Sequence, residues 1–396
     1  MEFRIPPPPF LGDPALRAVL AALPGSRIVG GAVRDALLLQ PAAAPSPADI
    51  DLATPDPPER VMAALHAAGL KSAPTGLQHG TVTAISGGRG FEVTTLRRDD
   101  TTDGRHAEVS WTDDWREDAA RRDFTFNAMS MLPDGTVFDE FGGRADLYAG
   151  RVRFVGDPAR RIAEDYLRVL RFFRFHGRYG AKPPDGQTAA ALQAGAAHLP
   201  GLSVERTWSE LRRILVVPNA AETVRLMAGL GVLAAVLPDA DPMAFERLMQ
   251  AGAPADPLLR LAALRPGTEV AQRYKLSNAE AAVLDGLAGP PPDPAWDDAA
   301  LRRAMADTAP EALIGRAWIA GGKDADWATL RARLGARRPV FPLQGRDVVA
   351  LGVPMGPAVG RLLAAVRAWW LAGGCAADAA ACRAEMQREL ARVERG

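Results

Sequence analysis

Residues 27–54 constrain the fold of this 396-residue chain more than any other stretch. A short apolar run, Ile28-Val29, leads into a helical pattern, and an acidic pair, Asp49 and Asp51, follows further along. Side chains two residues apart on a strand project from the same face. Two neighbouring carboxylates repel each other, so a fold holds them together most readily where a divalent cation neutralises both. The stretch therefore predicts a strand, a helix and then a second strand that presents a metal-binding pair.

Two glycines, Gly30 and Gly31, mark the predicted turn from the first strand into the helix. Glycine lets the backbone approach a ligand closely, and the N–H groups at the start of a helix favour an anion. Arg34 adds a positive charge in the first helical turn. An acid pair, an anion site and an arginine are together the components of phosphoryl or nucleotidyl transfer. Taken singly they are weak indications, because a glycine pair is often only a turn and an Asp-x-Asp pair is often only solvated surface.

The motifs GGAVRD at residues 30–35 and DIDLAT at residues 49–54 occur in this order. Here the chain resembles the class II nucleotidyltransferases that add CCA to the 3′ end of tRNA, together with their bacterial poly(A) polymerase relatives. The resemblance implies an α+β fold: an N-terminal nucleotidyltransferase head with a mixed β-sheet and flanking helices, followed by an all-α neck, body and tail. We expect the catalytic head at residues 1–150, the neck with its base-recognition motif at 151–217, the body at 218–335 and a tRNA-contacting tail at 336–396.

A predicted hairpin follows the acidic pair, with strands at residues 78–85 and 89–96 closed by Gly87-Gly88. Glu92 lies in the second strand, FEVTTLR, and a lone glutamate on a strand is usually solvated. The resemblance implies instead that Glu92 is a third catalytic acid beside the aspartate pair.

The next stretch, residues 99–115, is polar and has no clear period, so we predict a long loop. Loops of this length are usually functional or disordered. The resemblance implies a flexible loop that couples the switch from C to A addition. Simple solvation of a loop explains the composition equally well.

The sequence RRDFTFNA at residues 121–128 is a polar cluster in an apolar setting. A plain interpretation is the start of a helix, with Asp123 as its N-cap. The cluster also resembles the second motif of the family, which serves the ribose and phosphates of the incoming nucleotide. The resemblance implies that Arg122 contacts the nucleotide and that Asp123 and Asn127 shape the ribose site.

Residues 157–179 are predicted to form one long helix that begins near a proline. Arg168, Arg171 and Arg174 recur every three residues and lie along one strip of it. Arginines on a closely packed helix need a partner, so they could be structural and answered by other acids. The motif EDYLRVLRFFRF favours a functional role, because it resembles the family's protein template for the base.

The chemistry of such a template follows from the pairing edges of the bases. A carboxylate can accept from the amino group of cytosine or adenine while a guanidinium donates to the adjacent ring nitrogen. Uracil and guanine present the reverse pattern, which would leave both groups facing like partners. Asp165 and Arg168, i and i+3 on the predicted helix, are the candidate pair. Arg171 and Arg174 are candidates for phosphate or tRNA-end contacts.

The rest of the sequence excludes several classes. The formal net charge is zero, so an RNA-binding surface requires local segregation of arginine. Cys375 and Cys382 are too few for a disulfide framework or a structural zinc site. We find no apolar run long enough to span a membrane and no secretory pattern in MEFRIPPPPF, so we expect a cytoplasmic protein without a membrane partner. Beyond residue 183 the pattern predicts helices to the end of the chain.

We therefore expect template-independent addition of CCA to tRNA from CTP and ATP, with two Mg²⁺ ions held by Asp49 and Asp51 and pyrophosphate released. The tRNA substrate, contacted at its 3′ end and its acceptor and elbow backbone, comes only from the resemblance. The alternatives are a poly(A) polymerase, a partial enzyme that adds only CC or only A, and a catalytically silent RNA-binding protein. A dinucleotide-binding oxidoreductase is disfavoured, because Gly30-Gly31 lacks the third glycine of that fingerprint. The sequence leaves the oligomeric state open.

Overall fold

The computed structural model describes residues 1–38, 49–102 and 107–393. The chain forms two compact units, Met1–Pro238 and Asp239–Gly396. Strands and helices both occur in the first unit, and the described part of the second unit is helical. The predicted α+β class is confirmed, and the four finer domain ranges stay a prediction.

The strands are β1 (Glu2–Arg4), β2 (Arg27–Val29), β3 (Asp51–Thr54), β4 (Lys71–Gly76), β5 (Thr81–Ser86), β6 (Arg89–Thr95), β7 (Arg97–Thr102), β8 (Ala107–Trp111), β9 (Ser130–Met131) and β10 (Thr136–Phe138). Among the described residues, eight strands form one mixed sheet in the order β1-β10-β9-β2-β3-β6-β5-β4. Strands β7 and β8 form a separate antiparallel pair.

Helices of the first unit are α1 (Pro14–Ala22), α2 (Gly31–Leu38), α3 (Pro58–Ala67), α4 (Trp115–Ala120), α5 (Gly143–Tyr148), α6 (Pro158–Glu164), α7 (Leu167–Tyr179), α8 (Gly186–Ala196), α9 (Val204–Ile214), α10 (Ala220–Gly229) and α11 (Val232–Val236). Those of the second unit are α12 (Pro242–Gln250), α13 (Pro257–Leu264), α14 (Glu269–Arg273), α15 (Asn278–Leu287), α16 (Asp298–Asp307), α17 (Pro310–Ala320), α18 (Ala325–Leu334), α19 (Gly345–Val349), α20 (Pro357–Ala372) and α21 (Ala379–Val393). In the described part of the chain, no helix is long and apolar enough to cross a membrane.

The register of the central strands positions two of the predicted acids. Strand β3 runs parallel to β6, with Leu52 opposite Val93, and both side chains are buried. Because successive side chains alternate between faces, Asp51 and Glu92 lie next to each other on the opposite face of the sheet. The predicted hairpin is confirmed, since β5 and β6 pair around the turn at Gly87.

The predicted loop at residues 99–115 is wrong over much of its length. Strands β7 and β8 pair from Arg97 opposite Trp111 onward, and Arg98 Nε donates to Ser110 Oγ at 2.9 Å. Helix α4 then begins at Trp115, inside the predicted loop. The residues of β7, RRDDTT, are all polar and have no apolar period for sequence analysis to detect. Those of β8, AEVSW, do alternate between apolar and polar, a signal that the prediction of a loop overlooked. Residues 103–106 lie outside the described part of the chain.

The prediction of one helix over residues 157–179 is also wrong, because the helix breaks into α6 and α7 at Asp165-Tyr166. Asp165 has an extended backbone, and its Oδ1 accepts from the backbone N–H of Leu167 at 3.1 Å. An aspartate side chain that bonds nearby backbone competes with the helical hydrogen bond. The apolar periodicity continues across the break and hides it from the sequence.

The helices of the second unit pack around their own apolar residues. One cluster includes Leu301, Met305 and Leu334, and another includes Val366 and Trp370. Ser277 forms a capping box with Glu280 at the start of α15. These clusters give the second unit a core separate from that of the sheet.

Candidate active site

A cleft of about 510 Å³ in the first unit gathers most of the predicted site residues. Its lining includes Gly30, Gly31, Arg34, Asp51, Arg122, Asp123, Asn127, Asp165, Arg168, Arg171 and Arg174. Two predicted residues, Asp49 and Glu92, are not part of this lining. We call the part of the lining at Asp51 of β3 the sheet wall, and the part formed by residues of α7 the helix wall.

The glycine pair lies at the end of β2, where the chain turns into α2. Gly30 has a φ of +69°, a conformation that other residues rarely adopt. A Cβ atom on Gly30 would lie 3.8 Å from Nη1 of Arg122, and one on Gly31 would lie 3.5 Å from Nη2 of Arg34. The turn therefore brings the backbone at the start of a helix beside two guanidinium groups, which suits a phosphate group.

Asp49 and Asp51 stand at the start of β3. The strand begins at Asp51, so the prediction that Asp49 also lies on it is wrong, although Ile50 between them is buried as expected. Burial is the largest cause that raises the pKa of Asp51. The charges of Glu92 and Asp49 raise it further, and the charge of Arg122 lowers it. Of these acids only Asp51 lines the cleft, and Asp49 and Glu92 add to the negative charge around it.

The donor set can be compared with the needs of a metal. Within residues 1–38, 49–102 and 107–393, no group of three or more His, Cys, Asp or Glu side chains is arranged to hold a metal ion. Mg²⁺ is commonly held by one or two carboxylates together with substrate phosphates. The mutual repulsion of Asp49 and Asp51 fits such a cation, which would relieve it. The assignment of Glu92 as a third catalytic acid stays a prediction.

Asp123 is not the helix N-cap that the plain interpretation predicts, because only a short 3₁₀ helix follows, at Thr125–Asn127, and its N-cap is Phe124. Its Oδ1 accepts from the backbone N–H of Phe124 at 2.9 Å and from Nδ2 of Asn127 at 3.2 Å. Its Oδ2 accepts from Arg171 Nη2 at 2.6 Å. Burial alone would raise the pKa of Asp123, but the charge of Arg171 and these hydrogen bonds lower it.

Asn127 extends this network to the helix that follows the glycine pair. Arg34 Nη1 donates to Asn127 Oδ1 at 2.8 Å, and Arg34 is only 7% exposed. A continuous chain of hydrogen bonds therefore runs from Arg34 through Asn127 and Asp123 to Arg171. It joins α2 to α7 across the cleft and fixes all four side chains before any ligand enters.

The three predicted arginines of α7 are each paired with a carboxylate. Arg168 pairs with Glu164, Arg171 with Asp123, and Arg174 with Glu210. These ion pairs agree, in this conformation, with the alternative that the arginines are structural and pair with other acids. All three also line the cleft, so the pairing holds them in position to meet a ligand.

Asp165 and Arg168 line the cleft, but they are not on one helix and their side chains do not pair with each other. Asp165 Oδ2 accepts from Arg206 Nη2 at 2.7 Å. Arg168 Nη1 donates to Glu164 and to the carbonyl of Arg161. At the break after α6 the Asp165 side chain also accepts from the backbone N–H of Leu167, while only the backbone N–H of Arg168 bonds to the carbonyl of Asp165. Their role in reading the base stays a prediction.

Sequence analysis missed several residues of the site. Arg121, Leu167, Phe175 and Arg206 also line the cleft. Arg121 had a signal, since it precedes Arg122 in the second motif. Arg206 comes from α9, far from Asp165 in sequence, and its contact follows no period that a sequence could reveal.

Comparisons with known proteins agree with this arrangement. Residues 26–153 match the family model described as Poly A polymerase head domain, and residues 184–243 match the model described as Probable RNA and SrmB- binding site of polymerase A. The CCA-adding enzyme of Geobacillus stearothermophilus is 34% identical over 362 residues, which are 85% of this chain and 86% of that protein. The chain therefore belongs to the family of CCA-adding enzymes, and the predicted family is confirmed.

Two further relatives define the extent of the similarity. The crystal structure of Bacillus stearothermophilus CCA-adding enzyme in complex with CTP has a TM-score of 0.71 at 27% identity, covering 97% of this chain and 99% of that one. The CCA tRNA nucleotidyltransferase 1, mitochondrial, of Mus musculus is 47% identical over 209 residues, or 52% of this chain. Those residues are 47% of the mouse protein, so the chain matches about half the length of that relative.

Proposed function

We propose that the protein adds CCA to the 3′ end of tRNA without a nucleic acid template, using CTP and ATP. The observation that carries the proposal is the cleft itself, whose lining combines Asp51, which has no ion pair among the described residues, with a row of fixed arginines. A nucleoside triphosphate needs both, because its phosphates require cations and its base requires directional partners. The relatives' names and the CTP-bound structure supply the substrate class.

In this reaction the terminal 3′-oxygen of the tRNA attacks the α-phosphorus of the nucleotide, and the bond to the β-phosphate breaks to release pyrophosphate. We assign Asp49 and Asp51 to hold Mg²⁺, two ions in our proposal. Bound there, Mg²⁺ would help deprotonate the hydroxyl and stabilise the leaving pyrophosphate. Arg34 and Arg122 flank the glycine turn and would bind the triphosphate.

The ribose and the base would be held further into the cleft. Asp123 and Asn127 are fixed by their mutual hydrogen bond and are assigned to the ribose. Asp165 would accept from the amino group of cytosine or adenine, and Arg168 would donate to the ring nitrogen. Both groups are held by protein partners in this conformation, so binding of the base exchanges one set of hydrogen bonds for another.

A poly(A) polymerase is the second candidate, because the family model of residues 26–153 carries that description. A partial enzyme that adds only CC or only A would use the same cleft. A silent RNA-binding protein is less favoured, since Asp49 and Asp51 are both present. These candidates differ in their products.

The test is extension of a tRNA transcript that lacks CCA, with Mg²⁺ and CTP, ATP, UTP or GTP singly and in pairs. We expect two C residues with CTP alone and CCA with CTP and ATP together. Long A tails would indicate the polymerase, and CC alone from both nucleotides would indicate a partial enzyme. A transcript already ending in CC separates a true A-adding enzyme from an inactive one. No incorporation on either transcript would contradict the proposal.

We also propose a cytoplasmic location. Cys375 and Cys382 are both free and buried, which suits a reducing compartment. The mouse relative is named mitochondrial, so the two compartments are the ones to compare. Immunoblotting of fractionated cells would distinguish them, and recovery of the protein with an organelle would contradict the proposal.

A further inference from the structure

Asp118, on α4, lies behind the cleft and is only 3% exposed. Its Oδ1 accepts from Nε and Nη2 of Arg121 at 3.0 and 2.7 Å. Its Oδ2 accepts from Nε and Nη2 of Arg122 at 3.3 and 3.0 Å. One buried carboxylate therefore holds two guanidinium groups, each through a pair of hydrogen bonds, and both groups line the cleft.

The two arginines carry like charges on neighbouring residues. Their side chains are 17% and 20% exposed, so water screens them only in part. Burial lowers the pKa of Arg121, and the charge of Asp118 opposes that fall. Although burial favours a protonated Asp118, the charges of Arg122 and Arg121 hold its pKa below the usual range. The carboxylate therefore stays ionised and neutralises both cations in part.

Asp51 is a second acid that attracts Arg122. The charge of Arg122 lowers the pKa of Asp51 against the effect of burial, yet the ion pairs of the described residues include none between them. A direct pair would neutralise the carboxylate that we assign to Mg²⁺. Asp118 competes with Asp51 for Arg122 and so leaves Asp51 available.

The same carboxylate also holds one end of the β7–β8 pair, the end at which Arg97 lies opposite Trp111. The backbone N–H of Arg97, the first residue of β7, donates to Asp118 Oδ1 at 3.3 Å. At the same end of the pair, the N–H of Thr112 donates to the carbonyl of Leu96 at 3.1 Å. The strand pair and the two cleft arginines are therefore anchored at one point.

We propose that Asp118 is a positioning residue for nucleotide binding: it directs Arg122 to the triphosphate and keeps it from pairing with Asp51. The inference rests on the proposed function and adds to it a residue that does not touch the substrate. It predicts that loss of the Asp118 charge weakens nucleotide binding and also raises the Mg²⁺ concentration that the reaction needs.

The test compares Asp118→Asn, which keeps the shape and removes the charge, with Asp118→Glu, which keeps the charge. Asp326→Asn is the matched control, because Asp326 is an exposed acid on α18 of the second unit and has no part in the cleft. For Asp118→Asn we expect KM for CTP to rise roughly tenfold or more, as for loss of charge-assisted hydrogen bonds, with a smaller change in kcat. The Mg²⁺ concentration for half-maximal rate should rise as well. Asp118→Glu should recover part of both effects, and the control should match the wild type.

Binding of CTP measured by calorimetry, without tRNA, separates the inference from the proposed function. Wild type that binds CTP but extends no tRNA would contradict the proposed function and leave the binding prediction to be judged on the variants. Asp118→Asn with wild-type CTP affinity and Mg²⁺ dependence would overturn the inference. Circular dichroism and thermal unfolding identify a variant that fails to fold. If Asp118→Asn fails to fold, the test uses Asp118→Glu, in which the longer side chain displaces the carboxylate. A KM for CTP and a Mg²⁺ dependence equal to those of wild type in that variant would overturn the inference.

Discussion

The sheet wall and the helix wall of the cleft hold charge in opposite ways. On the sheet, Asp51 lies beside Asp49 and Glu92, and within the described residues none of the three acids takes part in an ion pair. On α7, by contrast, Arg171 and Arg174 each have a carboxylate within 2.6 Å. Among the described residues, the acids of the sheet wall therefore have no ion-pair partner, whereas these two arginines of the helix wall already have one.

This difference separates two ways of preparing a site. Fixed arginines with protein partners need little rearrangement when a ligand arrives, which is the advantage of a preorganised site. Acids that repel each other weaken the fold slightly and favour any ligand that brings positive charge. The helix wall should therefore matter for stability as well as for binding, and the sheet wall chiefly for chemistry.

The largest expected effect on stability comes from the helix wall. Glu210→Gln would leave Arg174, whose side chain is 18% exposed, without its carboxylate. Breaking one partner out of such a pair costs about 3 kcal/mol. Urea unfolding of the full chain measures the loss. Glu311→Gln, on α17 in the second unit, is a control at an exposed acid. A loss no greater than that of the control would show that the helix wall is not satisfied by this pair.

The second prediction concerns how the stability contributed by Asp123 depends on pH. The pKa of Asp123 is lowered from 3.8, so its stabilising contribution is complete above that pH and is lost as the pH falls through the lower folded value. Asp123→Asn lacks this contribution at every pH. The difference in Tm between wild type and variant should therefore shrink as the pH falls from 5 to below 3.8. A difference that stays constant over this range would contradict the assignment.

The smallest expected effect comes from Arg206, whose ion pair holds Asp165, the residue that we assign to the base. Arg206 is 44% exposed, so its ion pair with Asp165 is worth no more than about 1 kcal/mol. Arg206→Gln should change KM for CTP by a few-fold at most and leave Tm almost unchanged. Steady-state kinetics with CTP and with ATP would measure it. A large and selective loss with one nucleotide would give Arg206 a direct part in reading the base.

Sequence analysis found the residues whose signals are local. Gly30, Asp51 and Arg122 belong to short motifs in which neighbouring letters reinforce one another. Asp118 precedes Arg121 and Arg122 by three and four residues, so its pairing is local and sequence analysis overlooked it. Glu210 was beyond reach, because it meets Arg174 only when α9 packs against α7. The break at Asp165 was missed for a related reason: a single side-chain hydrogen bond to the backbone decides it, while the apolar period runs on.

The most direct test of the contrast between the walls is Asp51→Asn, measured for both single-C addition to tRNA and thermal stability. We predict a loss of activity of at least roughly a thousandfold, as for removal of a metal-holding group, and a Tm equal to or slightly above that of wild type. Glu59→Gln, an exposed acid on α3, is the control. Activity within tenfold of wild type, or a fall in Tm as large as that of Glu210→Gln, would contradict the account.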